Sequence, residues 1–432
     1  MQVLQWHNLS PDEQAAALAR PDMLADAQIS QSVTDILEAV RTGGDGAVRT
    51  YTKRFDGVDV ADMKVPVQDI KQAWADLPDA DKAAMNMAKA NIVAFHTAQL
   101  PDVIEVETMP GVLCRREPRP LDSAGLYVPG GSAPLVSTLM MLAIPAKIAG
   151  VAKRIVATPP GANGKVNSAV LAAAYLCDIE DIYMVGGAQA IAALGFGTET
   201  IPKCAKIFGP GNAYVAGAKA QISARMGGPA IDLPAGPSEA MVLADDNASP
   251  VFVAADLLAQ AEHDPMAQVV CVCRSQGFAN KLSREIVSQI TDLPRRDIAQ
   301  KSLKNGRILI VDDLETMVEI SNEYAPEHLI VQIDNPDTIT AKIQNAGSIF
   351  LGPWTPESVG DYASGTNHTL PTFGAARSYS GVVVESFMKF ISVQKLSRAG
   401  LEALGPCVER LATLEGLDAH KRAVRLRLET LS

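Results

Sequence analysis

Basic charge is in short supply in this chain. Thirty-eight Lys and Arg stand against 49 Asp and Glu, a formal net charge of −11. General nucleic-acid binding needs a basic surface, so that class is excluded. No uninterrupted apolar run reaches the ~18–20 residues of a membrane span. The opening MQVLQWHNLSPDEQAAALAR lacks the basic start and apolar core of a secretory signal, which leads us to expect a cytoplasmic protein. Cysteines number six, at 114, 177, 204, 271, 273 and 407, and none forms a CxxC pair. We expect six reduced core thiols, with Cys271 and Cys273 alternating in the buried strand QVVCVCR. No GxGxxG, fixed-period repeat or low-complexity linker occurs.

What is present is an ordinary globular composition, 47% hydrophobic and 20% charged, over 432 residues. That length is too great for one core and implies two or more domains. Residues 11–42 read as helix with a break near Pro21, and 79–100 as a longer amphipathic helix. GVLCRREPRPL reads as a strand. From 126 to 237 a strand, a Gly-rich turn and a helix recur, the pattern of a parallel sheet wound with helices. PSEAMVLADD, QVVCVCRS, GRILIVDD, EHLIVQI and GSIFLG are further strands, alternating with helices at 249–263, 275–292, 313–324 and 336–345. The tail from about 382 reads as helical, with Gly416 as a helix stop and Asp418 as the next N-cap.

Histidine is also scarce. His7 and His96 lie in helix or tail contexts and read as incidental. His263, His328, His368 and His420 sit beside Gly, Pro or acidic residues. Gln260 and His263 are spaced i, i+3 and would share a helix face. Either they hold one cation, or they are a solvated helix end where His suits the dipole; spacing alone favours the second. Glu327 and His328 follow Pro326 at the mouth of a strand. Successive strand residues face opposite ways, so both serve one site only if the strand end is irregular. Polar edge residues are an equal alternative. The segment 352–372 reads as a long irregular loop carrying Asp361 and His368. Asp361 completes a nitrogen/oxygen metal site or caps a turn. The glycines of VGGAQAIAAL and FGPGNAYV permit close approach of a phosphate, or are tight β-to-α turns. These residues together describe an α/β enzyme with a metal, a Glu-His acid/base pair and a phosphate-bearing ligand. They do not separate a dehydrogenase from a metallohydrolase.

The segments GLYVPGGSAPLVSTLMMLAIPA, VGGAQAIAALGFGTE, KIFGPGN, DLPAGPSE, QAEHDP, APEHL, GDYASGTNH and GLDAHK, in that order, resemble the signature segments of histidinol dehydrogenases. The resemblance runs from about residue 23 to the end. It implies oxidation of L-histidinol to L-histidine through the aldehyde with two NAD⁺, in a homodimer with one zinc per site. It implies Gln260, His263, Asp361 and His420 as zinc ligands, with Glu327 and His328 as the catalytic pair. Ser238 and Glu415 would contact substrate, together with the ligands and His328. Tyr127, Gln189 and Asn212 would contact the dinucleotide. The implied fold is two incomplete Rossmann-like parallel-sheet domains with an N-terminal segment (1–22) and a helical dimerisation tail (382–432) that crosses to the partner. Residues 23–125 and 238–381 would form the catalytic domain, with 126–237 inserted as the NAD-binding domain. Oxidation of another primary alcohol, or metal-dependent hydrolysis, is the alternative.

Overall fold

A computed structural model describes residues 1–20, 27–130, 134–234 and 236–430. The break expected near Pro21 and the boundary at 22/23 fall outside them. Two parallel sheets organise the chain. The larger has six strands in the order Gln2–Gln5, Arg307–Ile310, Gln268–Cys273, Glu239–Ala244, His328–Gln332, Ser348–Leu351. Its three central strands are buried at every residue, which is why they read as near-continuous apolar runs. The smaller has five strands, ordered Ile182–Met184, Lys153–Thr158, Ser123–Tyr127, Lys206–Phe208, Ala230–Ile231. Helices cover both faces of each sheet.

Three expectations change. The N-terminal segment is not purely helical: Gln2–Gln5 adds a parallel edge strand to the large sheet before the helix Pro11–Leu18. The helices Ala27–Asp56, Val67–Asp76 and Asp79–Thr97 pack on the small sheet's layer, not on the catalytic one. Val33, Ile36, Leu37 and Val40 share a core with Tyr127, Ile191 and Leu194, while Ile70 and Ile92 join Leu139 and Val170. An apolar stripe at i, i+3, i+4, i+7 requires a partner face without naming it; the grouping of 23–125 with the catalytic sheet was implied by the family resemblance, and in the structure the face these helices meet belongs to the small sheet's layer. The tail opens as a strand, Met388–Leu396, antiparallel to Val112–Pro120, which also pairs with Ile104–Met109. Only then come the helices Arg398–Leu414 and Asp418–Glu429.

Those two helices fold back on each other, with Gly405 against Leu428 and Gly416 at φ +70° in the turn. The cap is Leu417, with no side-chain hydrogen bond, so Asp418 opens the helix instead of capping it. Leu411, Leu414, Leu417 and Leu426 are exposed. Cys177, Cys204, Cys271 and Cys273 are buried thiols as expected, but Cys114 is half-buried and Cys407 exposed. Among the described residues no helix is long and apolar enough to cross a membrane.

Candidate active site

The helix Pro250–Ala261 begins at a Ser249 cap, with Pro250 at its first position, and buries Val253, Ala254, Leu257 and Leu258. It stops at Ala261, and the Asp264 side chain then accepts the Met266 N–H (2.8 Å) in a tight turn. His263 therefore stands past the helix end, not on a shared helical face. It still lines the same cavity as Gln260. Gln260 is 1% exposed, and neither its amide oxygen nor its nitrogen finds a hydrogen-bond partner among the described residues. A buried amide left so is costly. A solvated helix end does not describe it.

The strand mouth is irregular, as a joint role for Glu327 and His328 requires. Ala325 caps the preceding helix Leu314–Tyr324 in the left-handed region (φ 51°), Pro326 follows, and the strand begins only at His328. Both side chains are buried and line the cavity. Glu327 Oε2 accepts the Glu239 N–H (2.9 Å), and His328 Nδ1 lies 3.3 Å from the Glu239 carbonyl. Burial pushes the Glu327 carboxyl up to about 8, against the pull of His328 and that N–H. Burial alone would favour a neutral His328. The carboxylates of Glu357, Glu327 and Asp361 outweigh it and hold the ring protonated well above its ordinary range.

The segment 352–372 is not all loop. Glu357–Tyr362 is a short helix, and Glu357 and Asp361, four residues apart, present both carboxylates to the same cavity. Asp361 Oδ1 stands 3.5 Å from His328 Nε2, and Glu357 Oε1 3.9 Å from Nδ1. Glu357 was missed in the sequence. The i, i+4 spacing in PESVGDY was the available signal, obscured by reading the segment as irregular. Glu357 is 1% exposed, its Oε2 has no partner among the described residues, and burial raises it to about 8. One ligand atom each from His328, Glu357 and Asp361 lie within 4.8 Å of one another. Gln260 Oε1, without a partner among the described residues, and His263 line the same cavity, so the oxygens of Gln260, Asp361 and Glu357 with one imidazole nitrogen of His263 fit a divalent cation. Ser238 and His368 line the same cavity of about 160 Å³. Glu415 and His420 do not; both are exposed on the tail hairpin.

A second cavity, of about 1250 Å³, opens between the helix Ala27–Asp56 and the C-terminal ends of the small sheet's strands. Tyr127, Gln189 and Asn212 all line it. The Tyr127 hydroxyl accepts the Gly187 N–H (3.1 Å), and Gln189 Oε1 is buried without a partner among the described residues. Asn212 caps the helix Ala213–Ser223, its Oδ1 accepting from Tyr214 and Val215 N–H, which leaves its amide NH₂ for a ligand. Gly209, at φ +120°, could not carry a side chain: a Cβ would fall 2.0 Å from the Tyr127 carbonyl oxygen. Pro129 lines both cavities, so they meet there.

The sequence pattern of the histidinol dehydrogenase family matches residues 19–428. The chain belongs to the histidinol dehydrogenase family. It is 48% identical to the histidinol dehydrogenase of Yersinia pestis over 430 residues, 100% of this chain and 96% of that one. It is likewise 48% identical to that of Salmonella typhimurium over 429 residues, 99% and 98% of the two chains. The crystal structure of histidinol dehydrogenase from Elizabethkingia anophelis superimposes with a TM-score of 0.95 at 45% identity, covering 100% of this chain and 98% of that one. In this chain the sequence-predicted residues Ser238, Gln260, His263, Glu327, His328 and Asp361 come together at one cavity. Tyr127, Gln189 and Asn212 come together at the other.

Proposed function

We propose that this chain oxidises L-histidinol to L-histidine through L-histidinaldehyde, using two NAD⁺ in turn, as the last steps of histidine biosynthesis. The observation that carries this reading is the junction at Pro129. A small cavity with a buried Glu-His pair opens there into a cavity of dinucleotide size. A hydrolase would have no use for the second cavity.

Gln260, His263 and Asp361 would hold a zinc ion, with Glu357 adjacent. The ion would fix the substrate's imidazole and amine, and by offsetting the charge of Asp361 and Glu357 would ease the hold on the His328 proton. NAD⁺ would lie along Tyr127, Gln189 and Asn212 and accept hydride. His328 then takes the hydroxyl proton of the alcohol as hydride leaves. Glu327, held by the Glu239 N–H, takes in its ionised form a proton from the water that adds to the aldehyde, while His328 returns its proton to the aldehyde oxygen to complete the gem-diol; the neutral His328 then accepts the gem-diol proton as the second hydride leaves. Enclosure in the small cavity keeps the aldehyde from side reactions.

Glu415 and His420 would complete the site of a second copy. The tail's exposed leucines, and the fact that among the described residues its two helices pack chiefly on each other, support a homodimer with shared sites. The assay is NADH absorbance after adding limiting L-histidinol to enzyme and NAD⁺. Two NADH per histidinol is the expected stoichiometry; one or none refutes the reading.

A further inference from the structure

The side chain of Arg20 lies far in sequence from the catalytic pair and close beneath it in space. Its Nε and Nη2 donate to the two carboxylate oxygens of Glu239 at 2.5 and 2.9 Å, a two-pronged pairing at an almost fully buried acid. Nη2 also donates to the carbonyl of Tyr324 at 2.6 Å, and lies 3.4 Å from that of Ala325. The guanidinium sits 3.9 Å over the Tyr324 ring. The Tyr324 hydroxyl in turn reaches Gln268 Oε1 (2.9 Å) and Glu239 Oε2 (3.2 Å). The arm itself is pinned, since Gln268 Nε2 donates to the Ala19 carbonyl (3.1 Å).

Two adjacent strand mouths meet at this guanidinium. One is Glu239, whose N–H holds Glu327 and whose carbonyl faces His328. The other is Tyr324-Ala325, the helix end immediately before Pro326, Glu327 and His328. That helix end carries a left-handed Ala325, a conformation costly for a residue with a side chain unless its surroundings impose it. Arg20 supplies such a constraint, by satisfying the carbonyls that the helix end leaves without a partner.

We propose that Arg20 is a positioning residue for the catalytic pair: the N-terminal arm bolts Glu239 to the Tyr324-Ala325 turn, so that the Glu239 peptide and the chain entering Glu327-His328 keep one fixed offset. Arg20 lines neither cavity, so it acts through these groups and not on substrate. The role rests on the assignment of Glu327 and His328 as the reacting pair.

The test compares Arg20→Met and Arg20→Lys with the parent full-length enzyme. The Met variant removes the fork. The Lys variant keeps the charge but can satisfy only part of the geometry. Misplacing catalytic groups by about 1 Å costs on the order of 10²-fold in rate. Arg20→Met should therefore lose at least about tenfold in kcat, with KM for NAD⁺ within about twofold of the parent, because the dinucleotide cavity is built from other residues. Arg20→Lys should recover part of the loss. Should Arg20→Met not fold, Arg20→Lys against the parent decides the matter on the same split. A kcat within twofold of the parent in the folded variant overturns the proposal, as does a parallel rise in the KM for NAD⁺, the mark of general loosening. A parent enzyme that makes no NADH from histidinol refutes the functional reading instead, which keeps the two failures distinct.

Discussion

Lys219→Met cuts an ion pair that lies beneath the junction of the two cavities. Lys219 and Asp232 are buried against each other, with side-chain exposures of 2% and 1%. Lys219 Nζ also donates to the Gly209 carbonyl (2.9 Å), and Asp232 accepts the N–H groups of Gly209 (2.7 Å) and Leu233 (2.8 Å). The pair thus grips both polar groups of Gly209, at the start of the turn that carries Pro210 into the small cavity and Asn212 into the large one. Removing one partner of a buried pair costs ~3–5 kcal/mol, because the other charge stays buried. Asp232 keeps two N–H donors, which places this case near the lower end, about 3 kcal/mol. At ~2–4 °C per kcal/mol for a domain of this scale, the melting midpoint should drop by roughly 6–12 °C. KM for NAD⁺ should rise as the turn loosens. Thermal and urea unfolding followed by circular dichroism, with NADH production at varied NAD⁺, measure these effects. The double variant Lys219→Met/Asp232→Asn should be milder than Lys219→Met alone, since no buried charge is stranded. A loss below about 1 kcal/mol, or a double variant worse than the single, would falsify the stranded-charge argument.

Three further outcomes are expected. Glu327→Gln should slow the second hydride transfer more than the first, because an amide cannot take a proton from water; single-turnover NADH traces showing equal loss in both phases would contradict that role. Refolding Glu327→Gln together with His420→Ala should restore roughly a quarter of wild-type activity if the tail completes the partner's site, since about half the dimers are mixed and each carries one intact site; mixed dimers without recovery would place His420 in its own subunit's site. Burial raises Glu327 and Glu357 from an ordinary 4.5 to about 8, so the folded chain binds protons that the unfolded chain releases. Stability of chelator-treated protein should accordingly be highest below about pH 4.5 with respect to these groups and fall as pH rises toward 8, and urea midpoints in Glu357→Gln should show a shallower fall.

Residue order alone determined the buried strands of both parallel sheets and most of their turns, though not the strands Gln2–Gln5 and Met388–Leu396. PSEAMVLADD, QVVCVCRS and EHLIVQI are apolar along their whole length because they are buried on both faces, a condition that leaves its mark on every residue of the strand. Gln260, Glu327 and His328 stood out as polar groups in apolar surroundings, but spacing left a solvated helix end and a polar strand edge open, and only the family likeness implied roles for them. The motif order that carries the family likeness was equally plain. Partnership was decided only in three dimensions. The stripe on Ala27–Asp56 declared a buried face but not the sheet beneath it. Glu357 gained its meaning from the helical turn that sets it beside Asp361 and from His328, which arrives on another strand. Arg20 and Glu239 are separated by 219 positions. Local sequence fixes the φ/ψ preferences and the periodicity of burial, which are short-range properties. A contact between distant segments depends on how whole layers stack, and no single stretch of chain encodes it.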